Sequence, residues 1–522
     1  MWSRFTKILL TCVCLVVMAV PVALANGKVL FVPHDNRPIS FAQTADTVKM
    51  TDVDVMNAPD EFVGNRDMLG KPDELWQWVF ANAKGADAVV LSSDSLLYGS
   101  LVGSRKHDIE QAVILDRVDN FAKLKQENPN LAIYVFGSIM RSPRMAGSEE
   151  PEYYAKYGPN IFRYTALLDK EECAGLTRGE KKELKNLKSS IPTDAIEDWM
   201  ARRAKNFAAN QKMVNLAKDG VFRYLALGRD DNAPFSQTHK ESRHLDALAE
   251  GLAVSQFQTL AGIDEMGMVM LTRAINDANW NIPFVAVRYA DGVGAATVPS
   301  YSDEAIDTSI HSHLFAAGAI PIRTVERADL VLMVNTAVDG STGEANFPTN
   351  TVKAKANTAN FIQAVKGYLS EGYPVAIADI SYANGADNSL MAALEQEGLL
   401  DKIVAYSGWN TANNSAGFVI GQGILSDKMT IESRHKLLAV RFLDDWAYQA
   451  NVRQVLASEV ATMQGGNYSS LDGIRTDVTK RANEEMNAFA KQHLSVFPIA
   501  KVKVDFPWNR MFEAGVEVEM KK

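Results

Sequence analysis

Short apolar runs recur along this chain, each ending in a polar cluster that opens into a helix-like segment. Residues 29–32 run into Pro33-His34-Asp35-Asn36-Arg37-Pro38, and residues 88–91 into Ser92-Ser93-Asp94-Ser95. Residues 132–136 lead to Gly137-Ser138 and then Arg141-Ser142-Pro143-Arg144; residues 224–227 lead to Gly228-Arg229-Asp230-Asp231-Asn232. The theme returns at 284–287, 330–334, 375–378 and 403–406, the last ending in Ser407-Gly408-Trp409-Asn410-Thr411. Continuous apolar runs alternating with helical segments predict parallel strands covered on both faces. Such sheets gather their polar strand ends on one rim, where folds of this kind bind ligands.

The pattern divides the chain. It predicts an α/β fold with two mainly parallel-sheet domains, at 26–280 and 281–425, each Rossmann-like or partly barrel-like. A charged helical insertion at 151–219 reads as a lid or side lobe on the first domain. From 426 to 522 the region reads as helical, over 427–464 and 471–492, around a break at Gly465-Gly466. It closes on an aromatic tail, Phe506, Trp508 and Phe512, expected to fold back onto the body, and a strand-like 515–520. Residues 1–25 have the form of a signal peptide: Arg4 and Lys7, an apolar stretch over 8–22, then Ala23-Leu24-Ala25. Export to a periplasm or beyond is therefore expected, with no membrane association once the leader is removed. Cys12 and Cys14 lie within it, which leaves Cys173 alone and predicts no internal disulfide.

Charge narrows the partners. The net charge is −9, and losing Arg4 and Lys7 takes it to −11. An acidic chain without basic clusters argues against nucleic acid and anionic membranes and favours neutral or cationic small molecules and glycans.

Familiar catalytic signatures are missing: no Walker A loop, no HExxH, no GxSxG and no CxxC. A glycine fingerprint begins at Asp291-Gly292-Val293-Gly294, but Thr297 stands where its third glycine belongs, so no nucleotide cofactor is expected. No metal is expected either, since His311 and His313 lie two apart in a helical stretch and face different ways. Two acid pairs remain, Asp230-Asp231 and Asp264-Glu265. Glycoside cleavage needs one protonated and one ionised carboxyl, roughly 5–5.5 Å apart for retention or 6.5–9.5 Å for inversion. Adjacent residues rarely face one bond, so one acid from each pair is expected, Asp231 with Glu265, while Asp230 and Asp264 are the remaining candidates. Trp409 offers a platform for a sugar ring, with Asn410, Thr411 and Asn414 for its hydroxyls. Tyr98 is expected to hold the sugar with them. Asp35, Asp94 with Arg105, and Asp379 with Asn384 and Asp387 add polar groups to the same rim, while Arg37 and Arg229 orient carboxylates or anionic substituents. Each feature also has a plainer reading, as a helix cap, a solvated turn or a buried tryptophan. The expected function is an exported carbohydrate-active hydrolase. A soluble sugar-binding protein is the alternative, and a metal-dependent hydrolase using His34 or His239 a third reading.

Nine motifs together resemble one bacterial family, that of domain of unknown function 4127. They are PHDNRP (33–38), SLLYGSLVGSR (95–105), IMRSPR (139–144), GRDDNAP (228–234), GIDEMG (262–267), ANGAD (383–387), YSGWNTANN (406–414), RFLDDWAYQANVR (441–453) and FPWNRMFE (506–513). The resemblance spans nearly the whole chain beyond residue 25. It implies an acid where Asn36 stands and names no reaction.

Overall fold

The computed structural model describes residues 27–145, 149–230 and 232–521. The expected leader and Asp231 therefore lie outside the described residues. Six parallel strands form the first sheet: β1 (Lys28–Val32), β2 (Asp54–Asn57), β3 (Ala88–Ser92), β4 (Ala132–Ile139), β5 (Tyr224–Arg229) and β6 (Phe257–Ala261). Their spatial order is β2-β1-β3-β4-β5-β6. The second half adds β7 (Phe284–Tyr289), β8 (Ile320–Ile322), β9 (Leu330–Asn335), β10 (Gly343–Glu344), β11 (Val375–Asp379), β12 (Tyr382–Ala383) and β13 (Ala405–Ser407). Five of these form a second parallel sheet, ordered β13-β11-β9-β7-β8, while β10 and β12 pair with each other.

Counted from its own first strand, the second sheet runs 2-1-3-4-5, the order of the first five strands of the first sheet. Both sheets are open and doubly wound, so the Rossmann-like expectation holds and the barrel-like one does not. In such an order the connections leave the first strand in opposite directions. The crevices beside β1/β3 and β7/β9 are therefore the topological switch points, where this architecture receives ligands.

The central strands are the ones the apolar pattern predicts, and they are buried almost completely. Three strands of the two parallel sheets lie where it predicts none, β2, β6 and β8. All are sheet edges, with a strand on one side only and part of their surface exposed, so none needs a continuous apolar run. On one face the first sheet packs against the helices Pro72–Ala83, Gln111–Glu127 and Thr193–Lys218 through Val79, Phe121 and Met213. On the other, Phe31, Val90 and Phe136 share a core with Met268 and Leu271 of the helix Met266–Ala278. That core continues without a break through Val419 and Ile420 of the helix Ala412–Leu425 to Leu332 and Ala376 of the second sheet. Gly421 permits the close approach of these two helices, since a Cβ there would meet Met268 Cγ at 2.7 Å. The lobes are thus joined by a packed apolar interior.

The insertion forms three helices, Tyr154–Cys173, Arg178–Ser190 and Thr193–Lys218, around a small core of its own that includes Tyr154, Ile161 and Trp199. It docks on the helix Gln237–Leu248 through Asp169, which takes hydrogen bonds from the Ser236 amide (3.1 Å) and Arg243 (2.7 Å). After residue 426 the chain is helical through Ile431–Arg441, a buried π-helical stretch Phe442–Val452, Arg453–Val460 and Arg475–His493. It then turns through an antiparallel hairpin, β14 (Ile499–Asp505) and β15 (Gly515–Met520). The aromatic tail lies in the loop of that hairpin.

Candidate functional site

The loops at the carboxyl ends of the first sheet converge on a cavity of about 240 Å³. It is closed from the other side by loops of the second lobe and by the hairpin loop. Construction begins after β1. Asp35, fully buried, accepts from the Arg37 backbone amide at 3.0 Å and from Arg37 Nε at 3.0 and 3.1 Å. Held in this way, the guanidinium presents its other edge to Asp264, with Nη1 donating to Oδ2 at 3.0 Å and Nη2 to Oδ1 at 2.6 Å. This forked geometry is what arginine provides and lysine does not.

Asp264 stands in the turn after β6. Gly262 opens that turn with φ of 109°, and a Cβ there would lie 2.4 Å from Glu265 Oε1. Across the cleft Asn410 donates to Asp264 Oδ2 at 3.0 Å. His34 Nε2 lies 3.4 Å from Oδ1 and 2.9 Å from Ser40 Oγ.

Three more guanidiniums line the cavity. Arg105 donates to Asp230 at 2.7 Å. Arg141 bonds Glu150 at 2.6 Å and Glu149 at 3.2 Å and lies 3.8 Å from Asp230. Arg510, from the hairpin loop, bridges Glu149 and Glu513, the latter at 2.8 Å. Trp508 is flanked by Arg37 and Arg510, 5.1 and 4.9 Å from its ring centre, and donates to Asn36 at 2.7 Å. Cation–π contact and the hydrogen bond together seat the tail.

The electrostatics follow from this pairing. Burial opposes the charge on Asp264, but Arg37 and His34 outweigh it and hold the carboxyl well below its usual range. Burial also opposes a charge on His34, yet Asp35 and the hydrogen bond to Asp264 raise its pKa. Glu149 is held low in the same way, burial being overcome by Arg141 and Arg510. For Glu513, behind the wall, burial prevails over Arg510 and the pKa is raised. The cavity thus presents ionised carboxylates pinned by guanidiniums.

The expected site residues divide into three groups. Arg37, Asp230, Asp264, Asn410 and Thr411 line the cavity. Asp35 and Asn414 stand behind the wall: Asp35 holds Arg37, and Asn414 accepts from the Ile263 amide at 3.2 Å. Asp94 is buried on Ser138, which donates from its amide at 2.9 Å and its hydroxyl at 2.7 Å, and burial pushes its pKa up to about 6. Four residues are placed otherwise than expected. Glu265 is fully buried and faces His313 at 2.6 Å, because the chain reverses between adjacent side chains and Gly417 leaves it room in the core. Trp409 is 2 % exposed and packs on Phe512, so it offers no platform. Arg229 turns to Asp303 and Glu304, at 2.9 and 2.8 Å. Tyr98 stacks on His107 with ring centres 4.9 Å apart. Asp231 lies outside the described residues.

Arg105, expected on the rim, also lines the cavity, and residues the sequence did not assign a role complete the wall. Arg141 stands in a strand-end cluster, and Trp508, Arg510 and Phe512 in the tail motif. Glu149 carries no local signal. Among the described residues no three His, Cys, Asp or Glu side chains converge in a way that could hold a metal ion, and His239 is engaged with Asp169 at 2.7 Å.

Fold and site together define an α/β protein of two doubly wound lobes, with an arginine–carboxylate cavity at the switch point of the first. The model of the family described as protein of unknown function (DUF4127) matches residues 29–517, and the chain belongs to that family. No curated protein matches it.

Proposed function

We propose that the cavity binds a small polyhydroxylated anion, of which an acidic sugar is the type, and that the protein is carbohydrate-active. The observation that carries this reading is the convergence of Arg37, Arg105, Arg141 and Arg510 on one enclosed space with Asn384, Asn410 and Thr411. A guanidinium has five N–H donors, so an ion pair within the wall does not exhaust it. An acidic group is matched by the arginines, while ring hydroxyls find carboxylates and amides. Recognition is polar, since guanidiniums flank the ring of Trp508.

Hydrolysis is a second reading, favoured by the place of Asp264 and Asp230, one acid from each expected pair, on the cavity wall. Ionised Asp264 would then stabilise the positive charge that develops on the sugar ring. The test is calorimetry with glucuronate and glucose, together with mass spectrometry of a pooled glycan digest. Glucuronate is expected to bind, glucose to bind at least about tenfold more weakly, and Arg141→Ala to weaken glucuronate by about a hundredfold. Equal affinity for the neutral and acidic sugars would sink the proposal. New products made by wild type and lost in Asp264→Asn would add catalysis to binding.

A further inference from the structure

A second cavity, of about 400 Å³, lies on the other side of the hairpin and shares no lining residue with the first. Its walls are largely apolar, from Met50, Phe418, Leu437 and Val440. Among its polar wall residues one stands out. Gln422 is 1 % exposed, and neither its amide oxygen nor its amide nitrogen has a partner within the protein. Several buried amides leave one oxygen unmatched, but Gln422 leaves both ends unmatched, and against a cavity such a side chain marks a place for an incoming group. Arg441 repeats the sign beside it. Its terminal nitrogens are taken by Gln43 at 2.6 Å and by Asp444 and Asp445, while its Nε, also buried, has no partner.

The polar residues of the lining add a charge preference. Asp46, Asp505, Glu517 and Glu519 stand there with Lys436. Glu519 is held by Lys503 at 2.5 Å. Burial raises Asp505 against the opposing pull of Arg475, and the nearby Glu517 adds to the rise.

We propose that this cavity is a ligand site for a small amphiphilic amine, whose apolar body lies against Phe418 and Leu437. Gln422 takes a hydroxyl or amide at the inner end, and the acidic residues take the ammonium group.

The test uses the whole protein with tyramine as probe and 4-hydroxyphenylacetate, the same ring and hydroxyl with the opposite charge, as its control. Tyramine is expected to bind at millimolar concentration or better and the acid not to bind. Gln422→Leu should weaken tyramine at least about tenfold by removing both hydrogen-bonding ends. Glu517→Gln, on the exposed strand β15, should weaken it about threefold, with less effect at high salt. Absence of tyramine binding, equal binding of the acid, or unchanged affinity in Gln422→Leu would each overturn the proposal. If Gln422→Leu does not fold by circular dichroism, Glu517→Gln decides, and unchanged affinity there overturns it. Glucuronate should not compete with tyramine, so the two cavities are tested independently.

Discussion

The two parallel sheets share one winding order but treat their strand ends in opposite ways. At the β1/β3 crevice the loops hold carboxylates against arginines around an open space. At the β7/β9 crevice the chain fills the space itself. Asn357 reaches in to donate to the Thr336 and Asp291 carbonyls, at 2.9 and 3.3 Å. Beside it Asp379 accepts from Asn335 at 2.9 Å, the Asp387 amide at 2.7 Å and Tyr406 at 2.8 Å. Asp387 is saturated in turn by Lys355, Ser389 and Asn335. The charge states differ accordingly. Asp264 is held low by a guanidinium, whereas burial, with Asp387 beside it, pushes Asp379 up to about 6. Topology supplies a crevice in both lobes, and the chemistry that occupies it decides which one can accept a ligand.

The largest effect should come from breaking the open side. Arg37→Ala leaves Asp35 and Asp264 buried without their shared cation, so a loss of about 3–5 kcal/mol is expected, measured by denaturant unfolding. Acidic-sugar binding should be lost with it. A loss below about 1 kcal/mol would mean that the arginine does not organise this wall.

A smaller effect should follow pH, and it sharpens the contrast. Asp94 and Asp379, near 6 when folded, and Asp445, which burial raises to about 7, bind protons more tightly folded than unfolded. Their contribution is complete below about pH 4, the unfolded value, and is lost as pH rises through 6 to 7. His34 and His313, both raised, lose theirs in the same direction. Asp264 and Glu149 act oppositely, but only below about pH 4.5, where their unfolded forms gain protons, and His107, which burial lowers to about 4, acts oppositely up to its unfolded value near pH 6.5. Between about pH 6.5 and pH 8 the melting temperature should therefore fall, by about 2 °C or more in scanning calorimetry. A rise over that interval would contradict these assignments.

The smallest effect belongs to the closed side. Asn357→Ala removes hydrogen bonds to two carbonyls and should cost about 1–2 kcal/mol, leaving sugar binding in the first cavity unchanged. Weakened binding at the first cavity would show the crevices to be coupled.

Much of this was legible in the chain because both sheets are parallel and buried. A central strand covered on two faces must be apolar throughout, so β1, β3, β4, β5, β9 and β11 announce themselves, and the residue following each is a rim residue by construction. Arg37, Asp230, Asn410 and Thr411 were found in this way, and Asp264 as a member of an acid pair. The edges β2, β6 and β8 gave no such run. Arg510 and Glu149 escaped because their place depends on how a distant hairpin and a connecting loop settle, which no local pattern encodes. Trp409 and Glu265 show the opposite failure. Each is the immediate neighbour of a residue that faces the cavity, and composition alone does not say which member of such a pair turns inward to the core.

The bond between Asn36 and Trp508 joins residues 472 positions apart. For a chain synthesised from its amino end at about 5–20 residues per second, that separation is roughly half a minute to a minute and a half. During that interval the loop after β1 exists while the segment that covers it does not. The ligand affinity proposed for the first cavity would therefore appear late and abruptly in the life of each molecule, and a ribosome-bound or prematurely released chain that stops short of Trp508 should be blind to that ligand however well its first lobe has folded.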